Sequence, residues 1–136
     1  SLHDALPISN VGVTMETNGS TLSKIKVAVA GTYNIQFSSQ LYNNFNGAVT
    51  ISIWLKKNGN AVANSTTDIY LGTAAETEKR VAAWNFFVNA SAGDYYELVW
   101  SSDSNNTVIQ AIAPSGSGAT LHPAVPSVIL TVNQVG

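Results

Sequence analysis

Two histidines and a small set of carboxylates are the residues of this sequence whose types could support catalysis. His122 is the one imidazole base outside the first nine residues, where His3 lies. A Ser-His-Asp triad would need an activated serine and an aspartate beside His122. The candidate aspartates are Asp68, Asp94 and Asp103. No Gly-x-Ser-x-Gly nucleophile motif accompanies them, so we expect His122 to be an exposed or interface residue. A hydrolase is therefore a weak hypothesis for this sequence.

Paired carboxylates could also serve a glycosidase. Glu76 and Glu78 are two positions apart and precede Lys79 and Arg80. Acid catalysis by such a pair would need a carboxyl pKa raised by burial. A run of mixed charges is more typical of a solvated loop. We therefore predict no catalytic residue in this sequence.

Oxygen ligands for a hard cation cluster at one place in the sequence. Asp103, Asn105 and Asn106 together could bind calcium, which prefers oxygen ligands. Asp and Asn side chains in a turn also hydrogen-bond their own backbone without metal, and we favour that interpretation. The prediction is therefore no metal site and no bound cofactor.

Aromatic side chains near predicted loops are the remaining candidates for ligand recognition. Tyr42, Phe45 and Tyr70 could form a platform on which a sugar stacks, or they could pack between loops. We favour loop packing. Recognition would fall in the loops at residues 43–46, 60–66 and 102–106, since binding residues are frequent on loops held by a rigid scaffold.

The composition narrows the class of protein. Hydrophobic residues make up 45% of the 136, which suffices for one domain core, while charged residues are only 10%, against about 25% in an average domain. A surface rich in Asn, Ser and Thr, or burial in an oligomer, would explain the difference. Two isolated basic pairs are too few for nucleic-acid binding. No membrane-spanning run is present, and the absence of Cys excludes disulfides.

The first nine residues differ from the rest. Residues 2–9, LHDALPIS, resemble the in-frame translation of a sequencing adapter, and no Met begins the chain. We therefore expect residues 1–9 to be non-native, the natural N-terminus to be missing, and residues 10–136 to form a single domain.

Beyond residue 11 the hydrophobic pattern has a period of two, which is typical of strands. The clearest examples are residues 33–41, residues 47–57 and Tyr95–Ser102. Asn58 and Gly59 predict a tight hairpin. Further strands are expected at 11–17, 23–29, 67–71, 81–89, 107–113 and 127–135. So many short strands predict an all-β sandwich or barrel.

Two of these strands are apolar on both faces. In residues 81–89 and in Tyr95–Ser102, large side chains occupy both sets of alternate positions. One sheet of a sandwich has one core face, so the second apolar face needs a cover, and an adjacent subunit is the simplest one. The predicted trimer interface consists of Trp54, Phe87, Tyr95 and Val99.

Three stretches, in this order and spacing, resemble the globular head of the complement-component and tumour-necrosis-factor superfamily. They are AGTYNIQF at residues 30–37, VTISIWLKKNGNAV at 49–62 and AGDYYEL at 92–98, with SVILTV at 127–132 as the closing strand. The resemblance covers residues 20–135 and implies a jelly-roll β-sandwich of about ten strands that forms trimers through one sheet. No stalk is visible, and the aromatic final strand common in animal members is lacking.

A narrower resemblance concerns the source of the protein. WNF at residues 84–86, ELVWS at 97–101 and PAVPSVILTV at 123–132 are similar to bacteriophage virion proteins that carry this head. This implies a homotrimeric structural or decoration protein of the fibre, neck or capsid, located in the virion. Its partners would be its own copies, other virion proteins and a host-surface glycan. The alternative is a carbohydrate-binding, lectin-like module.

Overall fold

The structure, a computed structural model, describes residues 12–73 and 78–136 of the chain. Within these residues the regular elements are ten strands and one short 3-10 turn at Gly118–Thr120. The strands are β1 (Val13–Asn18), β2 (Thr21–Val27), β3 (Gly31–Asn43), β4 (Val49–Lys57), β5 (Asn60–Ala61), β6 (Thr67–Leu71), β7 (Lys79–Ala90), β8 (Tyr95–Ser102), β9 (Thr107–Ile109) and β10 (Val128–Gln134). The predicted non-native segment at residues 1–9 lies outside the described residues.

The strands form two antiparallel sheets that pack face to face. Sheet 1 has the order β1-β2-β8-β4, with β5 and β6 pairing successive parts of the far edge of β4. In sheet 2, β3 is central, β7 lies on one side, and β10 and β9 follow one another on the other. The chain crosses between the sheets repeatedly, and the predicted all-β sandwich of about ten strands is confirmed.

The core lies between the sheets, as the alternating pattern predicts. Tyr33, Ile35 and Phe37 of β3 are buried, and they face the buried Ile51 and Leu55 side of β4. The intervening side chains point outward because successive residues of a strand alternate between faces. Strand β7 contributes Trp84 and Phe86 to the core, where both rings contact Phe37.

The hairpin predicted between β4 and β5 is confirmed. Asn58 and Gly59 have φ angles of 49° and 85°, the left-handed values that a type I′ turn requires and that Asn and Gly accept most readily. The Asn58 side chain also fixes the neighbouring turn, since Tyr95 donates its backbone N–H to Asn58 Oδ1 at 2.9 Å.

Candidate functional site

The outer face of sheet 2 carries the largest exposed aromatic side chain of that sheet. Alternate residues of β3, β7 and β10 form this surface, which we call the Phe87 face. Phe87 is 68% exposed, and Val81 and Ile129 are 59% and 54% exposed. The predicted second apolar face of β7 is thus confirmed, and within the described residues it remains uncovered by other strands.

Polar side chains connect the three strands across the Phe87 face. Asn85 Nδ2 donates to Asn34 Oδ1 at 2.8 Å, and Asn34 Nδ2 donates to Asn133 Oδ1 at 3.3 Å. Near the end of β7, Thr32 Oγ1 donates to Asn89 Oδ1 at 2.9 Å. These bonds satisfy amide groups laterally, so the surface can lose water at a lower cost than a set of unpaired amides.

Charge is distributed unequally between the two sheets. Sheet 2 contains only two charged residues, Lys79 and Arg80, which begin β7. Sheet 1 contains seven, namely Glu16, Lys24, Lys26, Lys56, Lys57, Asp68 and Glu97. Most of these lie on its outer face, where Lys26 pairs with Glu16 at 3.2 Å. The outer face of sheet 1 therefore carries most of the charged side chains of the strands. Among the described residues, the Phe87 face has no charged side chain from Val81 onward.

The four residues predicted to form one trimer interface lie on two opposite faces. Trp54 and Val99 are register partners in β4 and β8, on the outer face of sheet 1. Tyr95 lies on the same face, with the Lys24 ammonium 4.7 Å above its ring. Only Phe87 is on sheet 2. A single flat interface would hold either Phe87 or the other three.

The three aromatic residues predicted for recognition are also divided. Tyr42 lies on the outer face of sheet 2 with Lys79 Nζ 5.4 Å from its ring, whereas Tyr70 is 62% exposed on sheet 1. Phe45 lies in the loop between β3 and β4. The structure therefore does not place Tyr42 and Tyr70 on one common platform.

Asn43 positions the Phe45 loop. Its side chain is fully buried and donates from Nδ2 to the carbonyl oxygens of Gly47 and Gly72, at 2.8 and 2.5 Å. Its Oδ1 accepts the backbone N–H of Phe45 at 2.8 Å. The loop after β8 lies against the same end, since Asn44 donates to the carbonyl oxygen of Asn106 at 3.2 Å. The loops at 43–46 and 102–106 therefore meet.

The loop at 60–66 lies elsewhere, along the edge of β4 that pairs with β5 and β6. The hydroxyl of Ser65 accepts the Leu55 N–H at 3.0 Å and donates to the Val62 carbonyl oxygen at 2.8 Å. Of the three predicted recognition loops, two are brought together and the third is separate.

His122 has a hydroxyl partner that the sequence did not suggest. Its Nε2 lies 2.9 Å from Ser115 Oγ, and its Nδ1 lies 2.8 Å from the Pro123 carbonyl oxygen. Because a carbonyl oxygen only accepts, Nδ1 carries a proton. Both side chains are exposed, and their contact joins the two limbs of a projection formed by residues 111–126.

The three candidate aspartates are engaged away from His122. Asp68 Oδ1 accepts from Ser52 Oγ at 2.6 Å, and Asp103 Oδ1 accepts the Thr50 N–H at 2.9 Å. In the part of the chain that is described, no group of three or more His, Asp or Glu side chains could hold a metal. Glu76 of the carboxylate pair lies outside the described residues, and Glu78 accepts from Arg80 Nε at 2.7 Å.

Asp94 has three polar contacts at the end of the sandwich away from the Phe45 loop. Its carboxylate accepts from Asn58 Nδ2 and from the Ser91 N–H, both at 2.8 Å, and pairs with Lys57 Nζ at 3.0 Å. The hydrogen bond from Asn58, followed by those from Ser91 and Lys57, lowers the pKa of Asp94 to about 2. The hydrogen bond with Asp94 also raises the pKa of Lys57. This cluster joins the β4–β5 and β7–β8 turns.

The feature that the sequence analysis missed is a projection between β9 and β10. A strand was expected at residues 107–113, but β9 ends at Ile109. Residues 111–126 leave sheet 2 and return as a two-stranded arm, which we call the arm. After Asp103 the chain has no Asp, Glu, Lys or Arg, and this uncharged run is the signal that could have marked the arm.

Comparison with protein-family models and with curated proteins gives no match for this sequence. Among the described residues no helix is long and apolar enough to cross a membrane. The assignment of a function therefore rests on the geometry and charge of the surfaces described above.

Proposed function

We propose that this chain is a structural assembly module that forms a homotrimer through the Phe87 face. The observation that carries the proposal is the exposed Phe87 on a sheet face whose one charged side chain among the described residues is Lys79, at the start of β7. The opposite face of the sandwich holds most of the strand charges. A surface that exposes large apolar side chains and carries little charge is typical of protein interfaces, whose buried centres are depleted of charge and enriched in aromatic residues.

The energetics favour assembly through this face. Burial of one large side chain contributes roughly 1.5–3 kcal/mol, and each protomer offers Phe87, Val81 and Ile129. Contacts shared among several protomers would contribute free energy of the same order as an association cost of about 4–15 kcal/mol. The Asn85–Asn34–Asn133 ladder has already paired most of its amide groups within the sheet, which lowers the desolvation cost.

The number of subunits and the biological setting come from the sequence resemblance. The complement-head and tumour-necrosis-factor-like pattern supports a trimer formed through one sheet, and the phage-like stretches support a virion structural or decoration protein. In that role the loops at 43–46 and 102–106 would face a host surface or another virion protein. A lectin-like module remains the alternative for a chain that does not assemble.

The test is light scattering of the purified protein at micromolar concentration, with two matched variants. We expect a mass of three chains for the unmodified protein and of one chain for Phe87→Asp. Tyr70→Asp places the same charge at a similarly exposed aromatic position on sheet 1, and it should remain trimeric. A folded monomer for the unmodified chain, or equal dissociation by both variants, would contradict the proposal.

A further inference from the structure

Both ends of the arm are bonded to a single residue of β3. Gln110 donates its N–H to the Gln40 carbonyl oxygen at 2.8 Å, and Gln40 donates its N–H to the Ser127 carbonyl oxygen at 2.9 Å. On either side, Leu41 pairs with Ile109 and Ser39 pairs with Val128. Strands β9 and β10 therefore pair with consecutive parts of the same edge of β3. The arm consists of the sixteen residues 111 to 126, which leave this pairing after Gln110 and rejoin it at Ser127.

The arm stands clear of the sandwich. Within residues 111–126 only Ile112, Val125 and Pro126 are half-buried, and the others are exposed. Its two limbs are joined by paired backbone bonds between Ile112 and Val125 and between Ser115 and His122, together with the Ser115–His122 side-chain contact. An isolated two-stranded ribbon is marginally stable in water, so an arm this long needs a second surface against which to pack.

The composition of the arm indicates the kind of surface that it contacts. It has no charged side chain, and at its tip Leu121 is 67% exposed. Pro114, Pro123 and Pro126 remove backbone donors, which disfavours the addition of another strand. Docking would therefore use side chains, and the matching surface must be apolar and uncharged, because charged groups would be desolvated without partners.

Within the described residues, the Phe87 face from Val81 onward is a surface without charged side chains that exposes Val81, Phe87 and Ile129. Gln40, the root of the arm, lies on that face, opposite Val81 in the β3–β7 register. Limbs of about seven residues span roughly 23 Å at 3.3 Å per residue, which is several times the spacing of about 4.8 Å between neighbouring strands. The arm is therefore continuous with the proposed interface and long enough to reach a neighbouring protomer.

We infer that the arm of one copy lies across the Phe87 face of a second copy and locks the assembly. The inference rests on the proposed self-association and specifies the contact that stabilises it. It assigns residues 111–126 an intermolecular role, with Leu121 as the side chain that is buried on contact.

The structure supplies a precise way to remove the arm. Because Gln110 and Ser127 share one partner, deletion of residues 111–127 lets Gln110 make both bonds to Gln40 and joins β9 to β10 in register. We expect this deletion variant to fold, as judged by circular dichroism, and to raise the dissociation constant of the oligomer at least about tenfold in sedimentation equilibrium. Leu121→Asp should act in the same direction, and Val29→Asp, at an exposed apolar position away from the arm, should not.

The location of the contact is tested by cross-linking, because the chain contains no Cys. A tagged Leu121→Cys chain is refolded together with an Asn85→Cys chain and treated with a short bis-maleimide. Mixed dimers should form in clear excess over those obtained with Tyr70→Cys, which lies on the opposite face. Equal yields would overturn the inference.

The failure of this inference differs from failure of the proposed function. If Phe87→Asp dissociates the oligomer while the arm deletion and Leu121→Asp leave its dissociation constant unchanged, the arm inference is wrong and the proposed assembly stands. If the unmodified protein is a monomer, both are wrong. If the deletion variant does not fold, the dissociation constant of Leu121→Asp and the cross-linking yields decide whether the arm inference holds.

Discussion

Phe87 and Tyr70 lie on opposite outer faces of the sandwich, and their exposed fractions are similar, at 68% and 62%. Their surroundings differ. Phe87 is bordered by the amide ladder of Asn34 and Asn133, whereas Tyr70 shares its strand face with Asp68. Similar exposure in unlike electrostatic settings makes this pair a direct comparison between the proposed interface position and a solvent position.

The substitutions Phe87→Asp and Tyr70→Asp should therefore differ in how the melting temperature depends on protein concentration. Association stabilises the folded state by mass action, so the unmodified protein should melt at higher temperature as its concentration rises over about two decades. Phe87→Asp should remove this dependence, because a carboxylate in the interface would be desolvated. Tyr70→Asp should retain it. Calorimetry or fluorescence at several concentrations provides the measurement, and a concentration-independent melt of the unmodified protein would contradict the prediction.

Asp94 should contribute to the acid limb of the stability profile. Its pKa falls from 3.8 to about 2 on folding, so the folded state binds fewer protons than the unfolded state between these values. The stabilisation is complete above about pH 4 and is lost as the pH falls toward 2. Asp94→Asn should flatten this part of the profile. Urea midpoints of both proteins between pH 6 and pH 2 (about five points, roughly one unit apart) test it.

If the two profiles stay parallel through this range, the interpretation of the Asp94 contacts is wrong.

Two buried serines should differ in how much stability is lost when each is replaced by alanine. Ser65 is 7% exposed and its hydroxyl joins the Leu55 N–H to the Val62 carbonyl oxygen. Ser65→Ala leaves both groups without that partner, which should cost about 1–3 kcal/mol of unfolding free energy. Ser39 is 1% exposed, borders a cavity of about 60 Å³, and among the described residues its hydroxyl has no partner.

Ser39→Ala should therefore change the unfolding free energy by less than about 1 kcal/mol. Denaturant unfolding in the Phe87→Asp background, where assembly does not contribute, compares the two variants. A larger loss for Ser39→Ala than for Ser65→Ala would show that the hydroxyl contacts have been assigned wrongly.

The alternation of apolar residues predicted the inward faces of β3, β4, β7 and β8 because strand orientation is a local property with a period of two. The Asn58–Gly59 turn was predictable for a similar reason, since its backbone angles depend on residue type. Outward side chains could likewise be identified, and Phe87, Trp54 and Val99 all point away from the core.

The sheet to which each strand belongs could not be predicted in this way. Trp54 and Phe87 were placed in one interface, although the pairing of β4 with β8 and of β7 with β3 separates them by the thickness of the sandwich. The same limit explains the arm. The end of β9 depends on Gln40, about seventy residues earlier in the chain, and hydrophobicity near Ile112 carries no information about that partner.

The last prediction concerns Asn43, whose buried side chain holds the Phe45 loop. Replacement by alanine leaves the carbonyl oxygens of Gly47 and Gly72 and the N–H of Phe45 without this partner. Each such group costs about 1–3 kcal/mol when it stays buried, and the total is smaller where water enters. We expect Asn43→Ala to lose at least about 2 kcal/mol of unfolding free energy and to increase proteolysis near residue 45. Asn44→Ala, at an exposed neighbour, should change stability by less than about 0.5 kcal/mol. Equal effects of the two substitutions, measured by urea unfolding, would mean that the loop is held by other contacts.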